Sequence, residues 1–286
     1  MGAGAAGLTD MGVLLRLGRV SNLPTVWSNL LAGMAVTGMV APGALALLLP
    51  AASLFYVAGM FFNDVFDRDS DAVERPERPI PSGQVVAREV VIAAAAMMAV
   101  GLALVAPLGV PPLAAAAALC AAILYYDADH KGNPASPLVM GACRALVYVL
   151  AAHALGGIRM DWMLPALGLL AYVAGLTYAA RQENLARFTG AWPLAMLAVP
   201  AVLLLSRLSL EAAPFMLLFL AWMAHGLRLI LSPAVRDIRR AVGALIAGIS
   251  LFDAALIATA GEPLLAVAAV AGFGLTLVFH RKVAGT

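Results

Sequence analysis

The sequence predicts an all-α membrane protein, a polytopic helical bundle of nine or ten transmembrane helices. Hydrophobic residues make up 63% of the 286 residues, charged residues make up 12%, and the mean hydropathy is +0.94. Water-soluble domains do not have these proportions. Apolar runs recur along the whole chain with short connections between them, so we expect one transmembrane domain over residues 1–286.

Ten apolar segments are candidates for membrane spans, each of which needs roughly 17–25 mostly apolar residues. Some of the ten are short for a span. They lie near residues 20–40, 43–62, 88–107, 110–126, 136–156, 162–180, 191–206, 211–231, 241–260 and 263–280. Ten crossings would leave the basic C-terminal end on the same side as the N-terminus, and nine would leave it on the opposite side.

The basic residues predict the orientation of the bundle. If Arg16 and Arg19 are cytoplasmic, alternate loops place most Lys and Arg residues on that side, and the other side receives only Arg159 and Arg207. This asymmetry follows the positive-inside rule and favours ten crossings. We therefore expect a multi-pass protein of the bacterial cytoplasmic membrane, with its active site facing the cytoplasm.

Charge and cysteine content argue against several other classes of function. The formal net charge is +2, and the basic residues are dispersed over membrane-side loops, so we expect membrane lipids and no nucleic acid as partners. Cys120 and Cys143 lie inside apolar segments without metal-ligand spacing. We interpret both as buried small hydrophobic residues.

An acidic segment follows the second apolar run. Asn63, Asp67 and Asp71 are spaced at i, i+4 and i+8, so helical spacing places them on one face with Asp64 at its edge. Such a face repels itself unless a cation neutralises it. Carboxylate and amide oxygens suit Mg²⁺, which leaves its remaining positions to waters and substrate phosphates. The segment therefore predicts a Mg²⁺–diphosphate site at a membrane surface.

A run of arginines and prolines comes directly after the acids. Pro76, Pro79 and Pro81 prevent a continued helix and stiffen the backbone. Arg75 and Arg78 are therefore presented from a shaped loop suited to phosphate oxygens. A solvated loop with internal salt bridges is the alternative, but regularly spaced acids followed by rigid arginines favour binding.

The second loop on this side carries further candidates. Lys131 suits a diphosphate as a point charge, and Arg144 lies about two turns into the next apolar segment, where an unpaired charge is costly. Its partner is expected to be an acidic side chain or an anionic substrate. Asp127, Asp129 and His130 would serve as metal ligands, although an interfacial turn explains them equally well.

The third loop contains Tyr178, Arg181, Glu183 and Arg187. Its single carboxylate, Glu183, stands between two arginines, whereas a second Mg²⁺ ordinarily needs more anionic ligands than one. Metal ligation by Glu183 and a surface cluster of Glu183 with the two arginines are equally supported.

The sequence Asn63-Asp64-x-x-Asp67-x-x-x-Asp71 followed by Arg-Pro-x-Arg-Pro-Ile-Pro-Ser-Gly closely resembles the first aspartate-rich motif of the UbiA superfamily of intramembrane prenyltransferases. The similarity in layout extends over nearly the whole chain. It implies a helical bundle with a lateral opening to lipid, in which Mg²⁺ holds an isoprenyl diphosphate between two acidic motifs. By this resemblance the four named residues form the Mg²⁺ site.

The resemblance also implies that Lys131 and Arg75 contact the diphosphate. Together with the loop analysis, it gives a full set of candidates. The expected metal ligands are Asn63, Asp64, Asp67, Asp71 and Glu183. The expected catalytic residues are Asp64, Asp67 and Asp71. The expected substrate-binding residues are Arg75, Arg78, Lys131, Arg144, Tyr178, Arg181 and Arg187.

The second acidic motif departs from the family pattern. Family members generally carry two or three aspartates there, whereas this chain has Glu183 and then Arg187. Arg187 would bind the diphosphate in place of a cation, or the protein has lost transfer activity. The segment from His130 to Arg144 resembles the divergent, EboC-type members of the superfamily.

The function implied by the resemblance is Mg²⁺-dependent transfer of an isoprenyl group from a prenyl diphosphate to a lipophilic or aromatic acceptor within the membrane. The alternative is a non-catalytic isoprenoid or lipid carrier, or a transporter, that retains half of the metal–diphosphate site. A transporter would need ionisable groups near mid-membrane, for which Asp253 and His225 are the main candidates.

Overall fold

A computed structural model of the chain describes residues 7–38, 40–155, 162–182, 192–232 and 234–283. All regular secondary structure within these ranges is helical. The α-helices are α1 (Met11–Leu17), α2 (Leu23–Ala35), α3 (Pro42–Phe66), α4 (Arg68–Glu74), α5 (Ala87–Val105), α6 (Val110–Asp129), α7 (Ser136–His153), α8 (Met163–Ala180), α9 (Ala198–Leu205), α10 (Ala213–Leu231), α11 (Ile238–Thr259) and α12 (Pro263–His280). The expectation of an all-α bundle is confirmed.

Eight of these helices are long and apolar enough to cross a membrane, and each overlaps a segment predicted as a span. The first and seventh predicted spans contain shorter helices. In the first, α2 has 13 residues and is followed by Gly38, whose φ of 80° suits the end of a helix. In the seventh, α9 has eight residues and continues from a 3₁₀ turn at Trp192–Leu197.

The bundle packs around α11, which is buried along most of its length. Two clusters of buried apolar side chains form the interior, and α2 and α7 contribute to both. Small residues permit close approach of the helices: a Cβ atom added at Gly141 would lie 2.4 Å from the carbonyl oxygen of Leu170. Helices in membranes commonly associate through small residues. The assignment of residues 1–286 to one domain stays a prediction.

Both ends of the described chain lie on the face that carries the acidic segment. Near the N-terminus, Arg16 Nη2 donates to Gln84 Oε1 at 2.7 Å. At the end of α12, His280 Nε2 lies 2.7 Å from Asn22 Oδ1, at the start of α2. The described part of the chain therefore begins and ends on one face, as the ten predicted crossings require.

Candidate active site

The acidic segment does not form one continuous helix. The third helix ends at Phe66, Asp67 caps it, and α4 begins at Arg68. Across this break Asn63, Asp64, Asp67 and Asp71 are nevertheless all buried, each with at most 8% of its surface exposed. The expected grouping of these side chains is present, but they are enclosed by protein and are not displayed on a solvated helix face.

Two arginines enclose this group. Arg19 Nη2 donates to Asp64 Oδ1 at 2.8 Å and to Asn63 Oδ1 at 3.1 Å. Arg78 Nη1 lies 2.6 Å from Asp71 Oδ2 and 3.3 Å from Asp64 Oδ1. Arg19 has a φ of 41°, an uncommon value for a residue other than glycine. The fold therefore holds Arg19 in a costly backbone conformation at the point where it meets the acids.

The second loop supplies two more cations, both to Asp67. Lys131 Nζ lies 2.8 Å from Asp67 Oδ1 and also contacts Ser70, and His130 Nε2 lies 3.3 Å from the same carboxylate oxygen. Burial alone would raise the pKa of Asp67, but the hydrogen bonds and charges of His130 and Lys131 lower it overall. The hydrogen bond to Asp67 raises the pKa of His130, against the opposing effect of burial. The pair therefore favours a carboxylate facing an imidazolium.

Asp127 joins the group from the end of α6. Its Oδ1 accepts a hydrogen bond from Asn63 Nδ2 at 3.3 Å. Its Oδ2 is buried and has no hydrogen-bond partner among the described residues. Buried polar atoms are nearly always partnered, and one that is not commonly indicates an unseen water or ion. Asp127 therefore lies at the site with one oxygen that no described side chain occupies.

A cavity of about 390 Å³ opens beside these side chains. Its polar mouth is lined by Arg19, Asn63, Asp67, Arg75, Arg78 and Asp127. Its apolar walls include Phe55, Leu119, Ile123, Val147, Val173 and Leu176. Arg75 is half-buried at the mouth, and none of its neighbours among the described residues forms an ion pair with it. The cavity thus joins a charged mouth to an apolar interior, and Arg75 is available there to an anion.

Arg144 also lines the cavity. Its Nη1 donates to Asn29 Oδ1 at 3.1 Å, and its guanidinium carbon lies 5.7 Å from the centre of the Tyr56 ring. No carboxylate of the described residues pairs with it. Its observed partners are therefore a neutral amide and an aromatic ring, and its role in substrate binding stays a prediction.

Tyr178 and Arg181 instead hold the loop after α6. Tyr178 OH donates to the carbonyl oxygen of Pro134 at 2.9 Å. Arg181 Nη2 donates to the carbonyl oxygens of His130 and Asn133, both at 2.7 Å. In this structure they position the backbone that carries His130, and substrate binding by them stays a prediction. Glu183 and Arg187 lie outside the described residues.

The sequence analysis did not select Arg19 or Asp127 as site residues. From the sequence, Arg19 indicates only the orientation of the bundle, and metal ligation and an interfacial turn explain Asp127 equally well. Both stand at the ends of apolar segments, where a charged side chain is common. Their separation from Asn63 by 44 and 64 residues conceals the contacts that the fold creates.

A sequence profile of the UbiA prenyltransferase family matches residues 21–187. The chain belongs to the UbiA prenyltransferase family. Together with its eight apolar helices, this membership makes the chain a multi-pass integral membrane protein. The EboC-type branch within the superfamily stays a prediction.

One relative of this UbiA-family chain is a digeranylgeranylglyceryl phosphate synthase from Natronomonas pharaonis. It is 33% identical over 147 residues, which are 51% of this chain and 51% of the relative. The chain thus matches about half the length of that relative.

Two solved UbiA structures share the fold. A UbiA homolog from Aeropyrum pernix K1 superposes with a TM-score of 0.67 at 20% identity, covering 84% of this chain and 96% of that one. A UbiA homolog from Archaeoglobus fulgidus bound to Cd²⁺ gives a TM-score of 0.60 at 16% identity, covering 87% and 99% of the two chains.

Proposed function

We propose that this protein transfers an isoprenyl group from a prenyl diphosphate to a lipophilic or aromatic acceptor within the membrane. The observation that carries the proposal is the cavity that joins the charged mouth to apolar walls. A prenyl diphosphate has the same two parts, an anionic head and an apolar chain. The UbiA family match and the digeranylgeranylglyceryl phosphate synthase relative support this class of reaction.

The diphosphate would bind at the mouth of the cavity. Arg75 has no carboxylate partner among the described residues, and its guanidinium suits phosphate oxygens because it donates several hydrogen bonds from one plane. Arg78 already neutralises Asp64 and Asp71, so it would share its charge between these acids and the substrate. Lys131 is about half exposed beside Asp67 and would reach an incoming phosphate from the solvent side.

The donor set fits Mg²⁺, with Asn63, Asp64, Asp67 and Asp71 as its proposed ligands. The unpartnered Oδ2 of Asp127 adds a fifth oxygen donor beside them. Within the described ranges no three His, Cys, Asp or Glu side chains converge closely enough to hold a metal by themselves. The proposed Mg²⁺ would therefore be held by only one or two of these carboxylates at a time, and waters and phosphate oxygens would complete its shell. Bound there, it would stabilise negative charge on the diphosphate leaving group.

The side chains of the cavity would guide the transfer itself. The bond between the allylic carbon and the diphosphate oxygen breaks, and its electron pair leaves with the diphosphate. An electron-rich acceptor atom then forms a bond to the carbon and later releases a proton. Apolar walls such as Phe55 and Leu119 exclude water, which would otherwise capture the cationic carbon. The ring faces of Tyr56 and Tyr126, both lining the cavity, would stabilise that charge.

Orientation and location belong to the same proposal. Contacts between the loops place the acidic segment, the loop after α6 and the end of α8 on one face, and we infer from the basic residues that this face is cytoplasmic. The bacterial cytoplasmic membrane stays a prediction, since the relatives compared with this chain are archaeal.

The proposal is tested by Mg²⁺-dependent binding of geranylgeranyl diphosphate to the purified protein, followed by radiolabel transfer to a lipid extract. Asp67→Asn should abolish the Mg²⁺-dependent rise in melting temperature. Asp69→Asn is the matched control, because the Asp69 side chain is 90% exposed and, among the described residues, forms its ion pair with Arg68 at the surface. An equal response in the two variants would overturn the site assignment. Binding without transfer to any acceptor would favour the alternative, a non-catalytic carrier.

A further inference from the structure

A buried carboxylate joins three helices behind the cavity. Asp253, on α11, has no exposed surface. Its Oδ2 accepts hydrogen bonds from Ser28 and from Asn29 Nδ2, the latter at 2.8 Å, and its Oδ1 accepts one from the hydroxyl of Tyr148. These donors come from α2 and α7, so the carboxylate connects both helices to α11. An ionisable side chain at such a depth is usually there for function and has a definite partner.

The partner of Asp253 on the cavity side is the amide of Asn29. A guanidinium can only donate hydrogen bonds, so the Asn29 amide must turn its carbonyl oxygen towards Arg144 and its nitrogen towards Asp253. Arg144 Nη1 lies 3.1 Å from that carbonyl oxygen. The side chains of Asp253, Asn29 and Arg144 therefore form a row in which the orientation of the central amide is fixed. One N–H group of Arg144 is used by Asn29 and is not available to the cavity.

The remaining donors of Arg144 are not used by this contact. A guanidinium has five N–H groups, and the described residues accept one of them, from Nη1 to Asn29. Tyr56 covers the guanidinium from one side, and the group lines the cavity. A guanidinium that lines a largely apolar cavity and keeps unused N–H donors is suited to bind an anion.

Arg144 lies deeper than the mouth. Its neighbour Tyr56 precedes Asn63 by seven residues on α3, which corresponds to roughly 10 Å along a helix axis. Arg144 itself lies eight residues beyond Ser136, the first residue of α7 after the loop that carries His130 and Lys131. An anion held at Arg144 would therefore lie further into the same cavity than one held at Arg75.

We propose that Arg144 binds the oxyanion of a second, lipophilic molecule, the acceptor, and that Asp253 positions Arg144 through the amide of Asn29. This inference rests on the proposed function for the identity of the second molecule. The acceptor it specifies carries a phosphate or carboxylate group and an apolar body. Asp253 does not touch the acceptor and acts only as a positioning residue.

The test uses the full chain in lipid nanodiscs with radiolabelled dodecyl phosphate as the probe and dodecanol as its uncharged match. EDTA is present, so that no metal assists binding at the mouth. We expect saturable binding of dodecyl phosphate alone, weakened about ten- to hundredfold in Arg144→Gln and less in Arg144→Lys, because a charge-assisted contact is lost. Equal binding of both probes, or an unchanged affinity in Arg144→Gln, would overturn the deep anion site.

A second binding experiment, with geranylgeranyl diphosphate and Mg²⁺, distinguishes this inference from the proposed function. The Asp67→Asn variant should lose the diphosphate and keep dodecyl phosphate. If Asp67→Asn instead weakens both ligands equally, the two anions share one site and the inference is wrong. If the diphosphate never binds while dodecyl phosphate requires Arg144, the proposed function fails and the deep anion site stands.

A double-mutant cycle tests the positioning role. Asp253→Asn should weaken dodecyl phosphate binding, and combining it with Arg144→Gln should cause no further loss, because both act through one contact. Asn29→Ala tests the same relay if Asp253→Asn does not fold. Tyr172→Phe is the control: it removes another buried hydrogen bond to α11, from Tyr172 to Leu245, and should leave binding unchanged. Additive losses, or an equal loss in the control, would overturn the positioning role.

Discussion

Arg78 lies 2.6 Å from Asp71, and the same nitrogen lies 3.3 Å from Asp64, so one guanidinium bridges the acids on the two sides of the helix break. The side chains of all three residues are at most 16% exposed. Together with Arg19 and Lys131, Arg78 therefore supplies positive charge that keeps this acidic group together.

We predict that Arg78→Gln destabilises the metal-free protein by about 1–3 kcal/mol, because two buried carboxylates lose a charged hydrogen-bond donor. The same change should tighten the binding of Mg²⁺ alone, since a competing cation is removed, and weaken the binding of the diphosphate. Thermal unfolding in EDTA and in increasing Mg²⁺ measures both effects.

Arg68→Gln is the control for this prediction. Arg68 is 54% exposed, and its 3.4 Å contact with Asp69 lies at the surface, where an ion pair contributes little to stability. A similar loss of stability in the two variants would show that Arg78 has no special role.

The second prediction concerns topology. Cysteine introduced at Ser82 should react with an impermeant reagent from the cytoplasmic side of sealed vesicles, and cysteine at Ser209 from the other side, because an odd number of predicted crossings separates them. Both positions are exposed, whereas the native Cys120 and Cys143 are buried and should give little background. Labelling of both from one side would contradict the predicted crossings.

The altered second motif gives the third prediction. If Arg187 replaces an acidic metal ligand, Arg187→Ala should weaken diphosphate binding by about 1.5–3 kcal/mol, the usual cost of losing a charged hydrogen bond. Arg187→Asp should then restore binding only at raised Mg²⁺. Arg240→Ala, which alters an exposed arginine in the first turn of α11, should leave affinity unchanged. An unaltered affinity in Arg187→Ala would exclude this loop from the site and favour a non-catalytic relative.

Helix packing gives the fourth prediction. Gly141→Ala should destabilise the protein by about 1–3 kcal/mol, because the new Cβ atom would lie 2.4 Å from a backbone oxygen that cannot turn away. Gly274→Ala is the matched control in α12, where a Cβ atom meets nothing within 4 Å. It should be neutral or slightly stabilising, as alanine favours helix. The melting temperature of each variant is compared with that of the unaltered protein. Equal shifts in the two variants would contradict the packing argument.

Much of the architecture follows from hydropathy, because a membrane span must be apolar for most of its length. The predicted segments that contain α3 and α5 each hold one long helix in the structure. The first predicted span was less accurate. Its helix starts later and stops at Ala35, since local backbone geometry at Val20–Asn22 and at Gly38 limits α2, and hydropathy does not report that geometry.

The sequence by itself determined the membrane bundle and the acidic segment with its arginine–proline run, because both are encoded within short stretches of chain. Only the tertiary structure decided which distant residues meet at the candidate site and behind it. Arg19 meets Asp64 across 45 positions, and Asp253 meets Asn29 across 224. Such pairs form because helices that pack together must match every buried charge with a donor or acceptor, whichever part of the chain supplies it. The spacing of residues within a short stretch of sequence does not reveal these long-range contacts.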